Sequence, residues 1–504
     1  MTAGSTLQAL LAKGADGDVA IAAPGVPPLT YAGLRRLVDA SLATLNGLGI
    51  GRNDRVAIVL PNGPEMASAF TAIASGATAA PLNPAYRADE FEFYMSDIGA
   101  KALVVDKGSD SPAVAVANKL GVRVIELTPQ PQEGAGSFAL DRAGGFIGNG
   151  RFADPDDIAL ILHTSGTTSR PKIVPLAQRN ICASAASIAA TLRFASADRG
   201  LNIMPLFHIH GLMAGLLAPF SAGSSVFCTP GFNALRFFAW MQEAKPTWYT
   251  AVPTMHQALL TRAAQNKAII AAHPLRFVRS SSSSLPPQVI AELEATFAAP
   301  VIESYGMTEA SHQMASNPLP PATRKPGTVG IAAGPDIAIM DEAGAVLPAG
   351  ATGEIVIRGA GVTAGYENNP KANGEAFTAG WFRTGDQGVL DAEGYLSITG
   401  RLKEIINRGG EKVSPREVDE ILMDHPAVLQ VVTFAMPHDK LGEEVAAAVV
   451  LRDGMSASEK ELRDFAGGRL AAFKVPRKVV FLPEIPKGAT GKLQRIGLAQ
   501  KLGL

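Results

Sequence analysis

The stretch DIALILHTSGTTSRPK, residues 157–172, is an apolar run that ends in small hydroxyl residues around Gly166 and reaches a cation at Lys172. Backbone N–H groups in such a turn converge on an anion, and the lysine adds a point charge, so the stretch is a candidate phosphate cradle. It lacks the GxxxxGK spacing of a Walker A loop, and its plainer reading is a hydroxyl-rich turn. A second GK pair lies in GATGKLQR, residues 488–495, where no apolar strand abuts it. By its residues alone that segment is an exposed basic turn around Lys492. PLFHIHG, residues 205–211, sets His208 and His210 two apart. If the piece is extended they point to opposite sides, which argues against a shared metal ion. RSSSSSLPP, residues 279–287, places five serines between an apolar run and two prolines. Composition alone reads it as a solvated linker.

The elements that must position these residues have a clear rhythm. Over residues 54–127, RVAIVLP, PEMASAFTAIASG, ATAAPLNP, ADEFEFYMSDIGA, KALVVD, a stretch from Pro112 and VRVIEL alternate short β-rich runs with helical ones. This predicts an α/β fold in which helices cover both faces of a parallel sheet and ligands gather at the carboxyl ends of its strands. Residues 318–400 are dense in Pro and Gly around GEIVIRG, GVLD and GYLSITG, which predicts antiparallel sheet or a small β-barrel. Beyond Gly400 the charge density rises, and RLKEIINRGGEKVSPREVDEIL reads as strand, turn, strand and helix. A boundary at residues 401–403 then separates a large N-terminal domain, 1–400, from a small α+β C-terminal domain, 401–504.

A chain of 504 residues, 47% hydrophobic and 18% charged, has the material for more than one core. Its 45 basic and 46 acidic side chains leave a formal charge of -1, so no basic excess advertises nucleic acid or an anionic membrane. With no apolar run of membrane-spanning length, a cytoplasmic protein with small-molecule partners is expected. Cys182 and Cys228 form no CxxC pair and no disulfide framework, which fits a reducing compartment.

Seven segments accumulate in chain order: TSGTTSRPK (164–172), PLFHIHG (205–211), ESYGMTE (303–309), FRTGD (382–386), GRLKE (400–404), RGGEKVSP (408–415) and PKGATGKLQR (486–495). On these the chain resembles the adenylate-forming superfamily of acyl-CoA synthetases, adenylation domains and luciferases over essentially its whole length. Ser169 stands where that pattern usually has glycine, while Gly166 remains. The resemblance implies an acid-thiol ligase, in which a carboxylate attacks the α-phosphorus of ATP to give an acyl-adenylate and diphosphate, and a thiol then displaces AMP. It implies ATP and CoA as co-substrates and Mg2+ as cofactor. Thr164, Ser165, Gly166, Thr167, Thr168 and Lys172 would hold the β- and γ-phosphates, with Glu309 anchoring the metal and Thr308 near the α-phosphate. Tyr305 would stack on adenine in a nucleotide wall shared with Ser283, Glu303, Ser304, Gly306 and Met307. Asp386 and Arg401 suit the ribose. Lys492, a bland turn by its residues, would bridge the substrate carboxylate and the α-phosphate. Lys403 would be the hinge on which the mobile small domain turns, withdrawing Lys492 and presenting Arg408, Gly409 and Gly410 to the pantetheine arm of CoA.

Within the superfamily, the wording of HTSGTTSRPK, PLFHIHGLMAGLLAP, the serine run and MTEASHQMASNPLPP resembles the oxalate-CoA ligases. Matching Leu285 to the leucine of the GAPL-like segment of relatives lays residues 281–284 beside adenine and acyl group as a pocket wall, which replaces the linker reading. Ser282, His208 and His312 are then the acid-contacting candidates, with His208 between the acyl and thiol paths. Buried polar groups without partners cost roughly 1 to 3 kcal/mol each, so this is a poor home for a fatty or aromatic tail and a good one for a short diacid. The implied reaction is oxalate, CoA and ATP to oxalyl-CoA, AMP and diphosphate. A CoA ligase for another small dicarboxylic, medium-chain or aromatic acid is the alternative.

Overall fold

The computed structural model describes residues 5–141, 151–164, 171–487 and 493–504. The alternating segments form the expected units: strand Arg55–Val59, helix Pro64–Ala74, strand Thr78–Pro81, helix Ala88–Asp97, strand Ala102–Asp106, helix Pro112–Leu120 and strand Arg123–Pro129. The four strands are parallel neighbours in a seven-stranded sheet. Strand Ile158–His163 extends it in parallel beside Thr78–Pro81, and Ile173–Ala177 closes that edge antiparallel. A nine-stranded sheet lies alongside. Its central strands, Val19–Ala23, Ser225–Cys228, Arg199–Asn202, Trp248–Ala251, Phe277–Ser280 and Val301–Met307, pair in parallel, and the strand pairs at both edges are antiparallel.

Helix Pro64–Ala74 shows how the two sheets are joined. From Met66 to Ala74 every residue is buried, so it has no polar face to offer water. It touches Arg55–Val59 and Thr78–Pro81 of one sheet and Val19–Ala23 and Ser225–Cys228 of the other. One continuous core results.

Residues 336–401 form a five-stranded antiparallel sheet, which is the first of the two forms expected there. The chain after Arg401 builds a separate five-stranded sheet, with hairpin Ile406–Arg408 and Glu411–Val413, long strands Val428–His438 and Gly442–Leu451, and helices Pro415–Met423 and Glu459–Gly467 on it. It has its own apolar core. Polar contacts tie it to the larger part: Gln257 Nε2 donates to the Leu429 carbonyl at 3.2 Å, Gln430 Nε2 donates back to Gln257 Oε1 at 3.3 Å, Gln288 Nε2 donates to the Met423 carbonyl, the Ser414 hydroxyl donates to the Thr399 carbonyl, and Arg452 pairs with Glu292 at 3.8 Å.

Candidate active site

Strands Phe277–Ser280 and Val301–Met307 run side by side, with Ser280 opposite Glu303, so the serine run and the ESYGMTE segment leave the sheet at the same carboxyl edge. A cavity of about 360 Å³ opens there, under the small sheet's helix Pro415–Met423. Ser283, Glu303, Ser304, Tyr305, Gly306, Met307, Asp386 and Arg401 all reach it, as the nucleotide wall requires. Tyr305 donates its hydroxyl to Asp386 Oδ2 at 2.5 Å, and Arg401 Nε lies 2.9 Å from Asp386 Oδ1. Burial and the Asp386 charge hold the Tyr305 phenol far above its ordinary value. The same carboxylate is the main cause that raises Arg401. Glu303 has no such partner: burial pushes its carboxyl up to about 8 although Arg416 pulls the other way.

A second cluster surrounds Glu309. The turn Thr308–Ala310 carries it inward, where Oε1 accepts the Tyr366 hydroxyl at 2.8 Å. Lys172 Nζ sits 4.2 Å from the centre of the Tyr366 ring. The ends of the phosphate loop are pinned together, since Thr164 N–H donates to the Lys172 carbonyl at 2.9 Å and Lys172 N–H to Thr164 Oγ1 at 3.1 Å. Ser165, Gly166, Thr167, Thr168 and Ser169 lie outside the described residues, as does Lys492. Burial raises the Glu309 carboxyl, with Tyr366 and Lys172 only partly offsetting it. A hard cation would relieve that penalty. Among the described residues no cluster of three or more His, Cys, Asp or Glu could hold a metal, but Mg2+ takes one or two carboxylates plus substrate phosphates, which Glu309 fits. Tyr366 was missed in the sequence, although its place next to the Glu309 backbone follows from Thr363 N–H donating to the Glu309 carbonyl at 2.7 Å.

The acid side departs from expectation. PLFHIHG is not extended, because His208 caps a short helix, Ile209–Leu212, and its Nδ1 accepts the His210 N–H at 3.4 Å. The helical turn swings His210 into the core, fully buried. Its Nδ1 is 3.1 Å from Ser282 Oγ, its Nε2 is 2.7 Å from Thr250 Oγ1 and 3.3 Å from Arg279 Nη1, and its ring stacks on His312 with centroids 4.8 Å apart. His210 thus joins Ser282 to His312, while His208 stands half-buried at the helix cap, and of the three acid-contacting candidates only Ser282 lines the cavity. Residue 281 is a correction to the wall: Ser281 is 1% exposed and gives its hydroxyl to the Ser304 carbonyl, so the cavity is faced by Ser280 and residues 282–284.

Backbone geometry fixes this corner. Ser282 and His312 both adopt positive φ, 75° and 92°, a region that costs a non-glycine residue of order 1 to 3 kcal/mol. Gly306 permits the approach, since a Cβ there would fall 1.7 Å from the His312 carbonyl oxygen.

Arg408, Gly409 and Gly410 form the turn of the hairpin beyond the boundary and do not face the cavity. Arg408 Nε instead pairs with Glu444 at 2.6 Å. Lys403 lies in the exposed turn Leu402–Glu404 between the two parts. Arg495, three residues after Lys492 in the sequence, binds Asp419 at 2.9 Å and Glu404 at 3.1 Å, the latter in that turn.

Residues 12–367 match the AMP-binding enzyme family and residues 417–492 the AMP-binding enzyme C-terminal domain. The chain is 45% identical to an oxalate-CoA ligase of Arabidopsis thaliana, covering 95% of each. It is 43% identical to an oxalate-CoA ligase of Saccharomyces cerevisiae, over 89% of this chain and 87% of that one. Among solved structures, ATP-bound MatB from Rhodopseudomonas palustris superposes with a TM-score of 0.89 at 30% identity over 99% of both chains. Apo MatB, at the same identity and coverage, gives 0.80. With both the large and the small part matched, this chain belongs to the AMP-binding enzymes.

Proposed function

We propose that the chain is an ATP-dependent oxalate-CoA ligase that forms oxalyl-adenylate and then oxalyl-CoA, releasing diphosphate and AMP. The observation that carries this is the polar corner of Ser282, His210 and His312 beside the nucleotide wall of Tyr305, Asp386 and Arg401. The naming of relatives at 43 and 45% identity agrees with it.

Tyr305 offers its ring to adenine, and the Asp386 carboxylate, fixed between Tyr305 and Arg401, accepts the ribose hydroxyls. Thr164 and Lys172 brace the phosphate loop from its two ends. Glu309, oriented by Tyr366, would hold Mg2+, which neutralises phosphate charge when bound. Lys492 bridges the attacking carboxylate and the α-phosphate, and Arg495 fixes the segment that delivers it. The higher likeness to ATP-bound than to apo MatB supports an adenylation-ready arrangement. Arg408, Gly409 and Gly410, turned away in that arrangement, receive CoA after the small domain rotates at Lys403. No helix among the described residues is long and apolar enough to cross a membrane, and we place the enzyme in the cytoplasm acting on small molecules.

Pyrophosphate release from the purified chain is the test, with oxalate, malonate, acetate, octanoate and cinnamate, each with and without CoA. Saturable, CoA-dependent turnover of oxalate at the highest kcat/KM is expected. Turnover of octanoate or cinnamate with none of oxalate would replace oxalate by the alternative acid class.

A further inference from the structure

Resting on that reading and deepening it, we propose that Arg279 is the residue that makes the acid pocket select a second carboxylate, acting through His210 to hold the Ser282 hydroxyl as a donor into the cavity. Arg279 is fully buried on strand Phe277–Ser280, directly before the serine run. None of its hydrogen bonds goes to a carboxylate: Nη1 donates to His210 Nε2 at 3.3 Å and Thr250 Oγ1 at 3.4 Å, and Nη2 to Gln313 Oε1 at 3.2 Å. Nε has no partner among the described residues, and the buried hydroxyl of neighbouring Ser280, a residue that lines the cavity, has none either. Burial alone lowers the guanidinium, to about 9, with no acid opposing it. A buried cation without a counter-charge is costly, by several kcal/mol, and an arriving anion offsets that cost.

The hydrogen-bond directions set the rest. A guanidinium only donates, so His210 Nε2 and the Thr250 oxygen, 2.7 Å apart, are both acceptors for Arg279 Nη1. The imidazole proton then sits on Nδ1 and is donated to Ser282 Oγ, 3.1 Å away. With its oxygen engaged by Nδ1–H, the Ser282 hydroxyl keeps its own hydrogen free to donate to an acceptor in the cavity. The positive φ of Ser282 fixes that side chain at the cavity edge. A diacid whose first carboxylate faces the α-phosphate meets a donor backed by a buried positive charge at its second. A monoacid of equal size leaves both unanswered.

The experiment is steady-state pyrophosphate release by the full chain with oxalate, malonate, and glyoxylate as the size-matched monoacid, for wild type, Arg279→Met, Arg279→Gln, Arg279→Lys and His210→Asn. Arg279→Met and Arg279→Gln are expected to raise the oxalate KM by roughly 10²-fold, the scale of a lost charge-assisted bond, with kcat and the ATP KM within a few fold. The preference for oxalate over glyoxylate should collapse, and Arg279→Lys should restore part of it. His210→Asn, whose amide stands in for Nδ1–H, should retain more of the preference than Arg279→Met does. Equal losses toward oxalate and glyoxylate, a parallel rise in the ATP KM, or Arg279→Lys no better than Arg279→Met would overturn the inference. A wild type inert to oxalate but active on malonate would overturn the oxalate reading alone, and this inference would stand if Arg279→Met abolished the malonate preference. A wild type that uses glyoxylate as well as either diacid would overturn it outright.

Discussion

The two ends of the cavity treat charge in opposite ways. On the nucleotide side, Asp386 is bracketed by Arg401 and the Tyr305 hydroxyl, so anion and cation are already neutralised within the fold. On the acid side, Arg279 is a buried cation none of whose hydrogen bonds goes to a carboxylate. The first arrangement suits a ligand recognised by shape and hydroxyl geometry, because ribose brings no charge of its own. The second suits a ligand that must arrive charged. A pocket floor built this way discriminates by counting carboxylates before it measures length.

The largest effect should come from the cation that neither side supplies. In the proposed reaction Lys492→Ala removes the positive charge that would meet the developing charge on the α-phosphate, and adenylation should fall by roughly 10² to 10³ in pyrophosphate release. Thiolation of supplied acyl-adenylate should persist, because the contrast assigns Lys492 to the first half-reaction only. Equal loss in both half-reactions would remove that assignment.

Ser282→Ala comes next and addresses the acid side directly. Losing a donor that meets a charged group should raise the oxalate KM by about 10-fold or more while leaving ATP binding, followed by equilibrium titration, unchanged. Equal weakening of oxalate and ATP would return the serine run to a purely structural task. Smaller still is Tyr366→Phe, which keeps the ring beneath Lys172 but removes the hydroxyl 2.8 Å from Glu309. We expect a fall of about 10-fold in kcat with the Mg2+ requirement shifted upward, by analogy with other groups that orient a metal ligand. A shift in the oxalate KM instead would place Tyr366 on the wrong side of the comparison.

The nucleotide side was legible in the sequence because its residues come in short contiguous segments, each on one turn or strand end, so ESYGMTE and FRTGD point to their positions without knowledge of the packing. The acid side was legible only in part. Ser282 and His312 could be chosen, but His210 was read from an extended geometry, and a four-residue helix reversed which histidine turns inward. Arg279 escaped notice because it opens the serine run at the end of an apolar strand, where a single cation reads as a strand terminus. Only the pairing of Phe277–Ser280 between Trp248–Ala251 and Val301–Met307 shows that it is interior to a sheet. Tyr366 was hidden for a similar reason, since it approaches Glu309 across 57 residues of chain.

Glu303 offers the finest test, because burial outweighs every group that would hold its carboxyl ionised. Its ordinary value of 4.5 is pushed up to about 8, by burial first, against the pull of Arg416 and with Glu420 adding repulsion. The folded protein therefore holds a proton that the unfolded chain releases above about pH 4.5, and folding stability declines as pH rises from there through 8, then levels off. Glu303→Gln keeps an oxygen to accept the Gly327 N–H and removes the titration. The variant should melt close to wild type at pH 5 and a few degrees higher at pH 9, with the gap opening between those values. A gap that stays constant across the range would mean the carboxyl is ionised and paired in the folded state. The nucleotide side would then be fully neutralised, and its contrast with Arg279 sharper.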